Sequence, residues 1–223
     1  MSHQKPSYGV RGRFVQRLAL FLGLILCAAL PLKAAPAKLV LMLGDSLTAG
    51  YGLAAGQSVP ARLEARLKAQ GHDVRVHNGG VSGDTSAQGR ARLNWVLASL
   101  PRTPDVVIVE LGANDMLRGL PPAQAEANLD AILRTLQQRK VKILLSGMLA
   151  APNLGPAYAQ QFNAIYPRLA RRYGATLDPF YMQGIANQPA LLLADKMHPN
   201  AQGTEKIAAR LAPVVARLLG PRT

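Results

Sequence analysis

The chain has 223 residues, a length that suits one domain with a hydrophobic core of its own. Hydrophobic residues make up 49% of it, a share that excludes an intrinsically disordered chain. The formal net charge is +14, yet the basic residues form no cluster or stripe of the kind that nucleic-acid binders carry, so we expect no nucleic-acid partner. Weak attraction to an anionic membrane surface stays open.

The first 37 residues differ in character from the rest of the chain. Three arginines precede an apolar run over residues 18–32, and small residues follow it, which is the order typical of a secretory signal peptide. The run has 15 residues, fewer than the roughly 20 that a membrane-spanning helix needs. We therefore expect a signal peptide at residues 1–37, with an approximate cleavage site, and an exported, periplasmic domain at residues 38–223.

The only cysteine of the chain, Cys27, lies inside that apolar run. A lipid group attached at Cys27 and an uncleaved membrane anchor are the two alternatives to a cleaved signal peptide. Cleavage would remove the thiol, so we expect the mature domain to contain no disulfide, no thiol nucleophile and no cysteine metal ligand.

From Lys38 onward, short apolar runs alternate with segments of helical period. The apolar runs predict strands over residues 38–43, 73–78, 105–111, 141–146 and, as a short fifth strand, 175–177. The helical period predicts helices over residues 58–69, 85–100, 121–139, 157–173 and 201–219, the last with a kink at Pro213. This alternation predicts an α/β fold, a flavodoxin-like three-layer αβα sandwich with a five-stranded, mostly parallel sheet.

Four short polar segments stand out against this pattern. GDSL at residues 44–47, GGVSGDTS at residues 79–86 and GAND at residues 112–115 each follow a predicted strand, and DKMHP at residues 195–199 precedes the last helix. In open parallel sheets the ligand site lies outside the carboxyl ends of the strands. We therefore expect the first three segments to meet at one rim of the sheet.

The longer blocks LGDSLTAGYGL, SGDTS, ELGAND and DKMHPN resemble the SGNH hydrolase superfamily, and more narrowly its branch of periplasmic acyl-CoA thioesterases, lysophospholipases and arylesterases. The resemblance covers the whole mature chain, with the blocks in order and at suitable spacing. It implies the SGNH hydrolase fold and a serine hydrolase that cleaves acyl esters or thioesters of small molecules through an acyl-Ser46 intermediate. We expect no metal and no organic cofactor, and a monomer.

The residue types in these blocks suit acyl transfer. A serine hydroxyl such as that of Ser46 is a poor nucleophile unless a neighbouring base removes its proton. His198 is the only histidine beyond the third predicted strand, and an imidazole titrates near neutral pH. Asp195, three residues earlier, can accept the other ring N–H and fix the tautomer. These three residues are the predicted catalytic triad, with an isolated surface turn as the alternative for Asp195 and His198.

By resemblance to the family, the oxyanion of the tetrahedral intermediate is bound by three donors. They are the backbone N–H groups of Ser46 and Gly83 and the side-chain amide of Asn114. Each has a plainer alternative: Ser46 could cap a helix or turn, Asn114 could be a turn residue, and Gly83 could serve only to supply a positive φ angle.

The loop after the fourth predicted strand is apolar and lies beside the predicted site. We expect it to line a groove for the acyl chain, with a plain surface loop as the alternative. The substrate-binding residues predicted there are Met148, Leu149, Pro152 and Leu154.

Other classes of function are set aside by missing motifs. The sequence has no Gly-x-Ser-x-Gly elbow, no Gly-Lys-Ser/Thr phosphate loop and no His-Glu-x-x-His zinc motif. Two alternatives remain: a carbohydrate O-acetyl esterase, and a non-catalytic protein bound at a membrane surface. The aromatic content of 5% argues against the first, because sugar sites use stacking platforms.

Overall fold

A five-stranded parallel sheet forms the centre of the domain in the computed structural model, which describes residues 1–3 and 36–221. Most of the predicted signal peptide, including Cys27, lies outside the described residues. The strands are β1 (Lys38–Gly44), β2 (Val74–Gly80), β3 (Val106–Glu110), β4 (Lys142–Ser146) and β5 (Thr176–Asp178). Their order is β2-β1-β3-β4-β5, all parallel, which confirms the flavodoxin-like prediction.

Helices cover both faces of the sheet. They are α1 (Ser46–Ala49), α2 (Val59–Ala69), α3 (Ser86–Ser99), α4 (Ala113–Leu117), α5 (Pro122–Gln138), α6 (Pro156–Asn163), α7 (Ile165–Tyr173) and α8 (Ala201–Leu219). Helices α2 and α8 pack against each other on one face, and α3, α5 and α7 pack in series on the other. Single 3-10 turns lie at Pro152–Leu154 and Pro189–Leu191.

The predicted helix over residues 157–173 is wrong as one continuous element. It is divided at Ala164 into α6 and α7. Pro167, in the first turn of α7, has no N–H to donate to the carbonyl of Asn163, and its ring would crowd that carbonyl in an unbroken helix. Helix α8, in contrast, continues through Pro213 to Leu219.

The central strands β1 and β3 are buried except for Lys38, the first residue of β1. All four residues from Val106 to Val109 in β3 have no exposed surface, as do Val40 to Leu43 in β1. Helices cover both faces of these strands, so every side chain points into apolar surroundings. This burial explains why their continuous apolar runs predicted strands so well.

The strand register aligns one row of residues across the carboxyl edge of the sheet. Gly44 of β1 pairs with Gly80 of β2 and with Glu110 of β3, Glu110 pairs with Ser146 of β4, and Ser146 pairs with Asp178 of β5. The loops that follow Gly44, Gly80, Glu110 and Ser146 are segments that the sequence analysis singled out. They therefore leave the sheet at the same level.

The β5 end of this row is held by a buried ion pair. The guanidinium of Arg210 in α8 contacts both carboxylate oxygens of Asp178, whose side chain is only 3% exposed. Arg210 also donates to the carbonyl of Tyr181 over 2.8 Å, and the Ser146 hydroxyl donates to Asp178 over 3.1 Å. The charge of Asp178 therefore depends on one arginine for its compensation.

We expect Arg210→Leu to lower the free energy of unfolding by about 3 to 5 kcal/mol, because it leaves the Asp178 carboxylate buried and unpaired. Urea denaturation measures the loss. Arg217→Leu, an exposed arginine of the same helix, is the matched control and should change stability by about 0.5 kcal/mol or less. Similar small losses in both variants would contradict a structural role for the ion pair.

Candidate active site

Ser46, His198 and Asp195 meet at the carboxyl edge of the sheet. Ser46 is the first residue of α1, directly after β1, and the other two lie in the turn that precedes α8. The Oγ atom of Ser46 is 2.9 Å from Nε2 of His198, and Nδ1 of His198 is 2.7 Å from Oδ2 of Asp195. The chain thus brings the three predicted triad residues, up to 152 positions apart, into one hydrogen-bonded line.

The turn from Asp195 to His198 holds the carboxylate in place. Its Oδ1 atom accepts the backbone N–H of Met197 over 2.9 Å and that of His198 over 3.0 Å. Together with the His198 ring, these bonds lower the pKa of Asp195 to about 2, so the group is an anion at neutral pH. An anion at Nδ1 keeps the proton on that nitrogen, which leaves the Nε2 lone pair to accept from Ser46.

The N-cap of α1 is Asp45, so Ser46 is not a helix cap. Oδ1 of Asp45 accepts the N–H of Leu47 over 3.0 Å, and its Oδ2 accepts the side-chain amide of Asn114 over 3.0 Å. The Ser46 hydroxyl is therefore free to bond His198. Burial raises the pKa of Asp45 to about 6, although its hydrogen bonds and His198 act in the opposite direction.

The three predicted oxyanion donors line one cavity with Ser46 Oγ. Within the described part of the chain, the N–H groups of Ser46 and Gly83 have no acceptor. Gly83 has a φ angle of +85°, which L side chains rarely adopt. The Asn114 amide differs, because it donates over 3.0 Å both to Asp45 Oδ2 and to the carbonyl of Asp84, so both of its hydrogens are engaged within the protein.

Side-chain bonds tie the three loops of this edge together. Arg92 of α3 pairs with Asp84 over 2.6 Å and donates to the carbonyl of Gly44 over 2.9 Å. Asp115 accepts both the N–H and the hydroxyl of Ser86, over 2.7 and 2.6 Å. Asp84 and Asp115, the acidic residues beside the predicted donors, thus hold the loops together by an ion pair and by hydrogen bonds.

The cavity has a volume of about 360 Å³ and a largely apolar wall. Of the predicted groove residues, Met148 and Leu149 line it, whereas Pro152 and Leu154 do not. The chain turns away after Leu149, because the N–H of Ala150 donates to Asn163 over 2.8 Å and residues 152–154 form a 3-10 turn. Sequence reasoning missed the other apolar lining residues, among them Tyr51, Met116, Leu117, Phe180, Met182, Leu192 and Met197.

Comparisons with known proteins show the family of the chain. A model described as the GDSL-like Lipase/Acylhydrolase family matches residues 42–206. The chain belongs to this family. Esterase TesA of Pseudomonas aeruginosa is 37% identical over 201 residues, which cover 90% of this chain and 99% of TesA. The Escherichia coli protein named thioesterase 1/protease 1/lysophospholipase L1 is 39% identical over 192 residues, 86% of this chain and 88% of that protein.

Among solved structures, the crystal structure of AlinE4, a SGNH-hydrolase family esterase, is 48% identical. The match covers 85% of this chain and 100% of AlinE4, with a TM-score of 0.71. The resemblance to SGNH hydrolases, the fold and the enzyme class are thereby confirmed. The chain is a GDSL serine hydrolase of the esterase/thioesterase type.

A buried carboxyl group contacts the short helix that begins with Ser46 in this GDSL hydrolase. Glu110, at the end of β3, has no exposed surface, and its Oε2 accepts the Thr48 hydroxyl over 2.7 Å. A Cβ atom at position 44 would lie 2.6 Å from that oxygen, so Gly44 leaves the room that the group needs. In the described residues Glu110 Oε1 has no hydrogen-bond partner. One acid at the end of a buried apolar strand is a sequence signal that could have identified Glu110, but the sequence analysis did not use it.

Burial raises the pKa of Glu110 well above its ordinary value, and the nearby charge of Asp45 raises it further. Both causes favour the neutral form of the carboxyl group. No group of three or more His, Cys, Asp and Glu side chains in the described residues is arranged to hold a metal ion. Through its hydrogen bonds from Thr48 and from the N–H of Asp45, Glu110 acts as a structural acid of the sheet edge.

The variant Glu110→Gln tests this protonation state, because glutamine has the shape of the neutral acid and does not ionise. The stability contributed by neutral Glu110 is complete below its unfolded pKa of about 4.3 and is lost as pH rises towards the higher folded value. We therefore expect the stability of Glu110→Gln relative to the wild type to increase as the pH rises above about 5 towards the raised pKa of the folded group. Urea denaturation at each pH measures it.

The control for this experiment is Glu126→Gln, which removes a partly exposed carboxylate paired with Arg168. Its stability relative to the wild type should not increase over the same interval. A pH-independent difference for Glu110→Gln would contradict a neutral Glu110.

Proposed function

We propose that Ser46 is the nucleophile, that His198 is the general base and acid, and that Asp195 orients His198. The observation that carries this proposal is the line of hydrogen bonds from Ser46 Oγ to His198 Nε2, 2.9 Å, and from His198 Nδ1 to Asp195, 2.7 Å. The first distance lies within the range that proton transfer between nucleophile and base requires, and the second is that of the hydrogen bond by which a third group orients the base.

In the proposed reaction, His198 takes the hydroxyl proton while Ser46 Oγ attacks the acyl carbonyl carbon. The carbonyl oxygen becomes an oxyanion, which the N–H groups of Ser46 and Gly83 and the amide of Asn114 would bind. The intermediate collapses as His198 returns the proton to the leaving alcohol or thiol. Water then attacks the acyl-Ser46 ester with the same base, which releases the acid and restores the serine.

Ser46→Ala should reduce turnover by about four to six orders of magnitude, because it removes the nucleophile of a triad. The assay measures hydrolysis of p-nitrophenyl esters from acetate to palmitate by the purified mature domain. Ser99→Ala is the matched control: this exposed serine ends α3, donates to the Val96 carbonyl over 2.8 Å, and should leave turnover unchanged. Equal hydrolysis by the wild type and Ser46→Ala would refute the assignment.

We further propose a fatty-acyl substrate, presented as an oxyester or a thioester. The apolar wall of the cavity supports this class, since an acyl chain binds there by losing contact with water. The names of the relatives, an esterase and a thioesterase/lysophospholipase, are compatible with it. A carbohydrate O-acetyl esterase would instead prefer acetate over longer chains in the same assay.

The contrast between Leu149 and Leu154 tests the acyl groove, because only the first lines the cavity. We expect Leu149→Ser to lower kcat/KM for the octanoate ester relative to the acetate ester by about tenfold, the usual size of a few lost methylene contacts. Leu154→Ser, the matched control, should leave this ratio unchanged. An unchanged ratio in Leu149→Ser would reject Leu149 as a groove residue.

We also propose that residues 1–37 are a signal peptide and that residues 38–223 act as a monomer in the periplasm. The order of positive flank, apolar run and small residues supports export. Of the helices that the structure describes, none is long and apolar enough to cross a membrane.

A further inference from the structure

The exposed apolar side chains of the domain are concentrated at the opening of the cavity. Within residues 37–221, six large apolar side chains are exposed, and four of them line the cavity that contains Ser46. These four, Tyr51, Leu117, Leu149 and Met197, are 44 to 53% exposed and are here termed the mouth ring. Single exposed apolar residues are common on soluble proteins, but a group around one opening marks an interaction surface.

The mouth ring is assembled by the fold. Tyr51 follows α1, Leu117 ends α4, Leu149 follows β4, and Met197 lies between Asp195 and His198. Tyr51 also contacts the catalytic turn, since its ring centroid is 4.5 Å from that of His198. Four separate segments therefore present apolar side chains at the same opening, beside the proposed nucleophile.

Two cations accompany the mouth ring. Lys196 lines the cavity, and its backbone φ angle of +57° is rare for a residue with a side chain. Arg118, next to Leu117, donates to the carbonyl of Gly83 over 2.7 Å. Neither cation pairs with a carboxylate of the described residues, and the one carboxylate of the cavity lining, Asp45, is buried.

The net charge of the whole domain is positive, like that of the two cations at the mouth ring. After residue 37 the sequence has 21 basic and 12 acidic residues, a net charge of +9. An apolar ring with cations at its edge is complementary to a surface whose interior is hydrocarbon and whose head groups are anionic.

We propose that the mouth ring docks the enzyme on an anionic lipid surface, with the cavity open towards the lipid. A protein partner seated on the ring would close the entrance to Ser46. A lipid surface would cover the ring and also supply the acyl chains that the cavity accepts. This inference rests on the proposed function, because docking would serve to supply acyl chains to the cavity. Docking itself requires no catalysis.

The test is co-sedimentation of the mature domain with vesicles of non-hydrolysable diether lipids. We expect binding to diether phosphatidylglycerol, weaker binding to diether phosphatidylcholine, and a decrease of the former with added salt. Ser46→Ala should bind as the wild type does. No binding to phosphatidylglycerol vesicles would overturn the docking proposal even if soluble esters are hydrolysed, so the two proposals fail separately.

Variants of the mouth ring locate the contact. The double variant Leu117→Ser and Met197→Ser should lower the vesicle partition coefficient at least about tenfold, since two apolar side chains no longer leave water. Lys196→Gln should lower it about fivefold for phosphatidylglycerol alone. Trp95→Ser is the matched control, because Trp95 is 73% exposed on α3 and does not line the cavity.

An equal loss of binding in Trp95→Ser would overturn the assignment to the mouth ring, as would a solution dimer that the ring variants dissociate. If the double variant does not fold, judged by its thermal transition, Met197→Ser and Lys196→Gln are measured singly. Both single variants should still bind phosphatidylglycerol vesicles more weakly than Trp95→Ser does. Unchanged binding in both would overturn the proposal.

Discussion

The common level at which the parallel strands end is the constraint on which the site depends. Gly44, Gly80 and Glu110 are in register on β1, β2 and β3, so the loops that follow them begin side by side. Segments distant in sequence can then be joined by short side-chain bonds. Arg92 reaches both Asp84 and the carbonyl of Gly44, and a shift of register by one residue would break these bonds.

Glu110 illustrates a conflict between stability and local order at this edge. Burying a carboxyl group with one oxygen unpartnered costs free energy. The same group accepts from Thr48 and, over 3.4 Å, from the N–H of Asp45, and so holds the turn that carries Ser46. Departures from an apolar core are expected at functional sites, where positioning outweighs stability.

The sequence predicted the strands and long helices because their signals are local and repeated. The five-residue α4 and the four-residue α1 are too short to show a period, and the break before Ile165 depends on Pro167 alone. Three of the four polar blocks were recognisable because each follows a strand, and the fourth because it precedes the last helix. The cavity wall was not, since Phe180, Met182 and Leu192 come from loops whose path no periodicity encodes.

The hydrogen bonds of Asn114 suggest how its proposed role would favour the transition state. In the free protein its amide donates to Asp45 and to the carbonyl of Asp84, so turning the second of these bonds to an uncharged ester carbonyl would only exchange one neutral acceptor for another. An oxyanion is a stronger acceptor than a carbonyl oxygen. The gain from turning the amide to the substrate thus grows as charge develops, which is the differential binding that accelerates a reaction.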